Sequence, residues 1–311
     1  MNATVPRETL RDRLALFCLR LAASGWAPAR WFLEELPPES ERKAATGRLH
    51  IEIVSHCWGY AHMQAYQLSS LVLHPPAEAD VTMTVYYSPE DRDTAALLEF
   101  FGALEAPGVT WNWQPMDKYH LFRRAIGRDH AARHSRADWV WFTDCDVVFG
   151  AGCLDGLAAA LQGRRDTLVF PRAELVSAVL EPGDPVLEAG KGVPRVLKID
   201  PAGFTAQERG RATGPLQIAH GDVARACGYC GQLQTYQKPV ARWAKAHEDR
   251  AYRWLLRTQG APVNVPGVYR IRHASKGRYQ QDSWTARLRT AIRRLQLRLR
   301  ERRRDRTTRH R

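Results

Sequence analysis

Four carboxylates, in two pairs, have the clearest chemical reach. Asp144-Cys145-Asp146 follows directly on the apolar run Trp139-Val140-Trp141-Phe142, and Glu248-Asp249 opens a later amphipathic stretch. An uninterrupted apolar run reads as a strand in the middle of a parallel sheet. Ligands of open α/β sheets bind outside the carboxyl ends of such strands. On an extended chain, carboxylates at i and i+2 point to one face. Their hard oxygens suit Mn2+ or Mg2+, so Asp144 and Asp146 are candidate metal ligands. The plainer reading is a turn that carries two aspartates. Glu248 and Asp249 fall at a helix start, where the dipole keeps a carboxylate ionised. An ionised carboxylate within hydrogen-bond reach of a hydroxyl is a candidate base; the plainer reading is a capping pair on a surface helix.

The elements around these residues alternate. Residues 49–55 read as a first strand, 61–73 as a helix, 81–87 as a strand, 93–104 as a helix, 109–113 as a strand, 121–134 as a helix and 138–143 as the apolar strand. After residue 149 the spacing predicts a helix over 154–161 and a strand over 167–170. Residues 181–216, rich in Gly and Pro, read as a long functional loop or irregular insert. Helical patterning returns over 238–245 and 248–257, and 268–273 is a last strand. Strands alternating with helices give an α/β fold with a mostly parallel central sheet flanked by helices.

Composition bounds the alternatives. The 311 residues are 44% hydrophobic and 25% charged, which is globular and excludes a disordered, collagen-like or disulfide-rich chain. No run approaches the roughly 20 apolar residues of a spanning helix. The first residues have no basic-then-apolar leader, so the expected location is the cytoplasm. The six cysteines read as buried thiols. Cys227-Gly228-Tyr229-Cys230 lacks the second ligand pair of a zinc site and reads as structural.

Between about residues 49 and 277 several blocks occur in an order that resembles the family 2 inverting glycosyltransferases of the GT-A (nucleotide-diphospho-sugar transferase) fold. They are Ile51-Glu52-Ile53-Val54-Ser55-His56-Cys57; the run from Tyr87 to Thr94; Arg124-Ala125-Ile126-Gly127, where Ala125 replaces the family's Asn; the Asp144-x-Asp146 strand; and Cys227-Gly228-Tyr229 followed by Glu248-Asp249. The resemblance implies transfer of a sugar from a nucleoside-diphosphate donor, a UDP-sugar, to a glycan or lipid-linked acceptor. It implies Asp249 as the base, supported by Glu248. It places Mn2+ or Mg2+ on Asp146 and Asp144, completed by His273. Donor contacts fall to Ser55, His56, Asp91, Asp93, Arg124, Arg270 and Lys276. Tyr229, Tyr236 and Trp243 offer flat faces to acceptor sugar rings.

Two rival functions remain. Phe142-Thr143-Asp144-Cys145-Asp146-Val147 also matches the haloacid-dehalogenase phosphatases, with Asp144 as nucleophile, although in that family the motif ends the first strand. A non-catalytic nucleotide-sugar-binding module is the other. The expected organisation is an N-terminal helical segment and linker (1–48), the transferase domain (49–280) and a basic tail (281–311). In the first of these, Leu10, Leu14, Phe17 and Leu21 recur at helical spacing. In the tail, Trp284, Leu288, Ile292, Leu295 and Leu299 form an apolar stripe, and twelve arginines stand against Glu301 and Asp305 between residues 285 and 311. A basic amphipathic helix of this kind suits an anionic membrane surface. With the rest of the chain nearly neutral, no nucleic-acid partner is expected, and the location is cytoplasmic or peripheral on the inner membrane face.

Overall fold

The computed structural model describes residues 5–243 and 246–274. Lys276 and the basic tail lie outside the described residues. The helices are α1 (Leu10–Leu21), α2 (Ala61–Leu73), α3 (Arg92–Gly102), α4 (Lys118–Leu121), α5 (Arg124–His134), α6 (Cys153–Leu161), α7 (Pro185–Ala189), α8 (Gly221–Cys227) and α9 (Glu248–Leu255). The strands are β1 (Leu49–Cys57), β2 (Ala79–Tyr87), β3 (Val109–Pro115), β4 (Trp139–Phe142), β5 (Val147–Phe149), β6 (Leu168–Pro171), β7 (Ala173–Leu180), β8 (Phe204–Glu208), β9 (Gln217–His220), β10 (Ala261–Val263) and β11 (Val268–His273).

The architecture is α/β, with a mostly parallel central sheet flanked by helices. Seven strands run in the order β10-β6-β9-β4-β1-β2-β3. β1 pairs parallel with both β2 and β4, while β9 runs antiparallel to both β4 and β6. The four residues of β4 are buried, as a strand covered on both faces must be. A second sheet, β5-β11-β7-β8, begins where the chain leaves Asp146. Among the described residues no helix is long and apolar enough to cross a membrane.

Three expectations change. The helix expected over 121–134 is two pieces: Asp117 caps α4 by accepting from the Tyr119 amide at 2.9 Å, and the chain restarts at Arg124 to form α5. No helix occupies 238–243. Pro239 lacks an amide to donate, and the Val240 amide donates instead to the Tyr119 carbonyl, 3.0 Å away. The 181–216 insert carries α7 and β8 and packs along α2, where Tyr66 donates to the Val186 carbonyl (2.8 Å) and the Leu197 amide to Ser69 Oγ (2.8 Å). That cover helps to bury α2 from Met63 to Leu71. Of the six cysteines, all reduced, Cys18 on α1 is exposed and the other five are buried. Burial pushes the Cys227 thiol up to about 11, consistent with a structural role.

Candidate functional site

Strand order reverses between β1 and β4, the position at which an open α/β sheet leaves a crevice at its carboxyl edge. β1 delivers His56 and Cys57 to this edge, and β4 delivers Asp144, Cys145 and Asp146. Between them lies a small cleft of about 240 Å3, counting the part open to solvent, lined by His56, Trp58, Tyr60, Leu121, Cys145 and Trp243 among others.

The two aspartates do not sit on one extended face. The Val147 amide donates to the Asp144 carbonyl at 3.2 Å, closing a turn over residues 144–147. The i, i+2 argument for a shared face therefore fails, and the carboxylates meet different surroundings. Oδ1 of Asp144 accepts from Arg124 Nη1 and, at 3.2 Å, from Arg128 Nη2. Asp146 is 5% exposed and its Oδ1 has no hydrogen-bond partner among the described residues. An orphaned buried carboxylate oxygen is costly, and a cation is one way to satisfy it.

Arg124 reaches across to α9. Its Nη2 stands 3.7 Å from Glu248 Oε2, and its guanidinium lies 4.7 Å from the centroid of the Trp243 ring. Burial opposes its charge, but Asp144 first, then Glu248, Tyr229 and Asp249, hold it firmly protonated. Arg128, one turn further along α5, is fully buried. It donates to Tyr229 Oη (2.9 Å) and the Thr143 carbonyl (2.9 Å). Tyr229 donates to Gln217 Oε1 (2.7 Å), and Gln217 Nε2 donates to the Asp249 carbonyl (3.1 Å). A continuous polar chain thus runs from the end of β4 through α5 and β9 to the first turn of α9. At its far end Asp249 Oδ2 pairs with Arg253 Nη1 at 3.2 Å, and its side chain remains a third exposed.

The expected donor contacts separate. His56 stacks on Tyr86, with centroids 5.0 Å apart, and neither ring nitrogen has a hydrogen-bond partner among the described residues. Burial first, then the charges of Arg128 and Arg124, hold its pKa well below the usual imidazole value, so it is neutral at pH 7. Ser55 is corrected: it is fully buried and donates to Gln64 Oε1, 3.3 Å away, with no face toward the cleft. Asp91 caps α3 and accepts from the Gly59 amide (2.6 Å) and Thr94 Oγ1 (2.7 Å), so it ties the loop after β1 to α3. Asp93 is exposed on the first turn of α3 beside a second hollow, which it lines with His62 and Lys191. Arg270 pairs with buried Glu174 at 2.7 Å, an acid it shares with Arg209, so it is held on the second sheet by a carboxylate that faces two guanidinium groups.

The acceptor assignments divide likewise. Tyr229 and Tyr236 are fully buried, and Tyr236 donates to the Ala246 carbonyl at 3.0 Å. Neither offers a ring face to a ligand, which corrects both assignments; they hold α9 in place instead. Trp243 does line the cleft.

For a metal, the fit is partial. The described residues contain no group of three or more His, Cys, Asp or Glu arranged to hold an ion. Oδ1 of Asp144 is engaged by two guanidinium groups. Asp146 fits, and its backbone carbonyl accepts from the Ile271 amide at 2.9 Å, which fixes the strand that carries His273 against it. His273 is buried and packs 5.3 Å from the Tyr60 ring.

Arg128 and Gln217 were not among the expected site residues. One signal for Arg128 was its i+4 spacing from Arg124 on one helix face; nothing local marks Gln217.

No protein-family model matches the chain, and no curated protein matches it. Solved structures to which it is similar include the mannosyltransferase PcManGT from Pyrobaculum calidifontis in complex with GDP-Man and Mn2+. That likeness has 17% identity and a TM-score of 0.40, over 86% of this chain and 70% of that one. Another is TarS (residues 1–349) from S. aureus, at 12% identity and a TM-score of 0.42. The same TarS fragment in complex with UDP is similar at 10% identity and a TM-score of 0.44. This chain spans 60% of the TarS fragment in each case, with 72% of its own length. The chemistry of the site rests on its own residues.

Proposed function

We propose that the chain is a glycosyltransferase of GT-A type, which moves a sugar from a nucleoside-diphosphate donor, a UDP-sugar, to a glycan or lipid-linked acceptor with inversion. The observation that carries this reading is the meeting of the two acidic pairs: Arg124 contacts Asp144 at the end of β4 and Glu248 at the start of α9.

Sugar transfer requires an ionised base near the acceptor hydroxyl and a stabilised leaving group, held in line. Asp249 supplies the base. It is the partly exposed acid of the α9 pair, its backbone is held by Gln217, and its Oδ2 pairs with Arg253. The acceptor oxygen attacks the anomeric carbon, the bond to the diphosphate breaks, and the hydroxyl proton passes to Asp249. Glu248 and Asp144, tied by Arg124, set the distance between the base and the β4 end. Asp146 would hold a divalent cation, with His273, on the strand that the Asp146 carbonyl anchors, as a further ligand. Such a cation neutralises the leaving group when bound. His56, a neutral imidazole, lines the cleft with both ring nitrogens buried and Nε2 packed against Gly127, and serves as a wall of the donor site. Trp243 lines the cleft and lies over the Arg124 guanidinium, where a bound donor would meet it.

A phosphatase with Asp144 as nucleophile is disfavoured, because two guanidinium groups draw electron density from the oxygen that would attack. The test is a thermal-shift screen of nucleoside-diphosphate sugars with and without Mn2+. A metal-dependent shift with one donor supports the proposal. No shift with any donor, in protein that is folded, overturns it.

A further inference from the structure

Helix α1 has two apolar faces. Leu16, Leu19 and Ala23 pack against the core. The segment is fastened to the body by Lys238 Nζ to Asp12 Oδ1 (2.8 Å), Arg250 Nη1 to Ser24 Oγ (2.9 Å) and Trp254 Nε1 to the Ala27 carbonyl (2.9 Å). The other face carries Leu10, Leu14, Phe17 and Leu21. At about 100° per residue these four fall within roughly 60° of arc. All four are exposed, Leu10 by 82%. Past the kink at Gly25 (φ 101°), Trp26 and Trp31 are exposed as well, by 82% and 70%. The apolar periodicity visible in the sequence therefore marks the face turned away from the core.

A helix on a soluble body needs one apolar stripe to dock. A second stripe of large side chains, with two exposed indoles in the segment that follows it, is an interaction surface. Its chemistry selects the occupant. Arg7, Arg11, Arg13, Arg20 and Arg30 lie in the same stretch of chain, and its two acids, Glu8 and Asp12, are each paired with a cation, Arg13 and Lys238. Tryptophan, with an apolar body and one polar N–H, favours the lipid–water boundary. Apolar stripe, arginine flanks and interfacial tryptophans together are what an in-plane helix presents to anionic lipid. We propose that this face of α1, with Trp26 and Trp31, lies in the surface of an anionic phospholipid bilayer.

The inner face of α1 rests near α9 and the turn Gln234–Tyr236. Glu248 and Asp249 form the first turn of α9, so the membrane plane would run beside the proposed base. Resting on the transferase reading, this makes the acceptor a membrane-borne, lipid-linked molecule rather than a soluble glycan.

The test is sedimentation of the full chain with vesicles of phosphatidylcholine alone or mixed with phosphatidylglycerol, independent of any sugar transfer. The wild type is expected to bind the mixed vesicles, and Leu14→Glu with Phe17→Glu to weaken that binding at least about tenfold. Because both side chains face solvent, the melting temperature stays unchanged. Brominated acyl chains are expected to quench part of the wild-type tryptophan emission, and Trp26→Phe with Trp31→Phe to remove that part. The proposal is overturned by a double glutamate variant that binds as the wild type does, which would assign lipid binding to residues 281–311. It is equally overturned by a wild type that ignores vesicles, or by a wild-type dimer that the variant converts to monomer. Vesicle binding without transfer from any donor would remove only the transferase reading.

Discussion

Glu248 and Arg124 are each the first residue of a helix, α9 and α5, and their side chains meet at 3.7 Å. That contact makes one site of two distant parts of the chain, since the other nitrogen of Arg124 holds Asp144. Arg124→Met keeps the length and removes the charge. Asp144 then keeps Arg128 but loses Arg124, and the repulsion between Asp144 and Glu248 is less screened. The expected loss in kcat is about 100- to 1,000-fold, comparable with removing one preorganised charged donor. Stability falls by about 1–3 kcal/mol, less than the 3–5 of a fully buried broken pair because this one is partly exposed. Arg124→Lys does not restore activity, because one ammonium cannot reach two carboxylates as a planar fork does. Steady-state kinetics and urea unfolding on the two variants check this; an unchanged kcat in Arg124→Met removes the arginine from the mechanism.

Asp249 and Asp146 are separable by substitution. Asp249→Asn retains shape and loses the base, so transfer falls by about 100- to 10,000-fold while donor binding persists. Asp146→Asn is expected to abolish any Mn2+-dependent thermal shift with the donor. It should also raise stability in metal-free buffer, because an uncompensated carboxylate oxygen leaves the interior. Calorimetric titration of donor into both variants distinguishes them. Loss of donor binding in Asp249→Asn, with retention in Asp146→Asn, would reverse the two roles.

The parts of this site that were legible before the structure are those written in adjacent residues. The run of residues 139–142 required a buried strand, and a carboxylate at its end required a position at the sheet edge. Glu248-Asp249 before an amphipathic stretch required a helix start. Connections between distant residues were not legible. Gln217, on four-residue β9 with no alternation to mark it, joins Tyr229 to the Asp249 backbone. The turn at Asp144 replaces the extended geometry that two aspartates at i and i+2 suggested. Tyr229 and Tyr236 have the composition of sugar-stacking residues, and only packing assigns them to the interior. Periodicity found the stripe on α1 but not the direction it faces, since both faces of that helix are apolar.

His56 should make the protein acid-sensitive. Its folded pKa lies well below about 6.5, the value in an unfolded chain, because burial and two arginines oppose its charge. The unfolded state therefore takes up a proton that the folded state refuses, and stability rises with pH through this range. It is fully present above about pH 6.5 and declines as pH falls further. His130 and His220, both also lowered chiefly by burial, contribute in the same direction. Urea midpoints at pH 7.5 and 5.5 (~2 pH units apart, spanning the free imidazole value) are expected to differ in the wild type and to differ less in His56→Gln. An equal acid loss in the variant would assign the effect elsewhere.

Gly127 supplies the reason for one position in the Arg124-Ala125-Ile126-Gly127 block. A Cβ there would overlap His56 Nε2 and stand 3.0 Å from Cγ of Tyr86. Both rings are held, the imidazole by stacking on Tyr86 and the phenol by a 2.8 Å hydrogen bond with His130 Nδ1. Two effects compete in Gly127→Ala. Helix propensity favours alanine by about 1 kcal/mol, and overpacking a rigid contact costs about 1–3 kcal/mol. The rings have no flexible end with which to yield, so the steric term prevails and the variant is less stable by up to about 2 kcal/mol. It also displaces His56 toward the cleft, so donor affinity falls with stability. In the double variant with His56→Ala the clash is relieved, and most of the lost stability returns as a coupling between the two positions. Additive losses in that cycle would mean that Gly127 is kept for some reason other than the approach of His56.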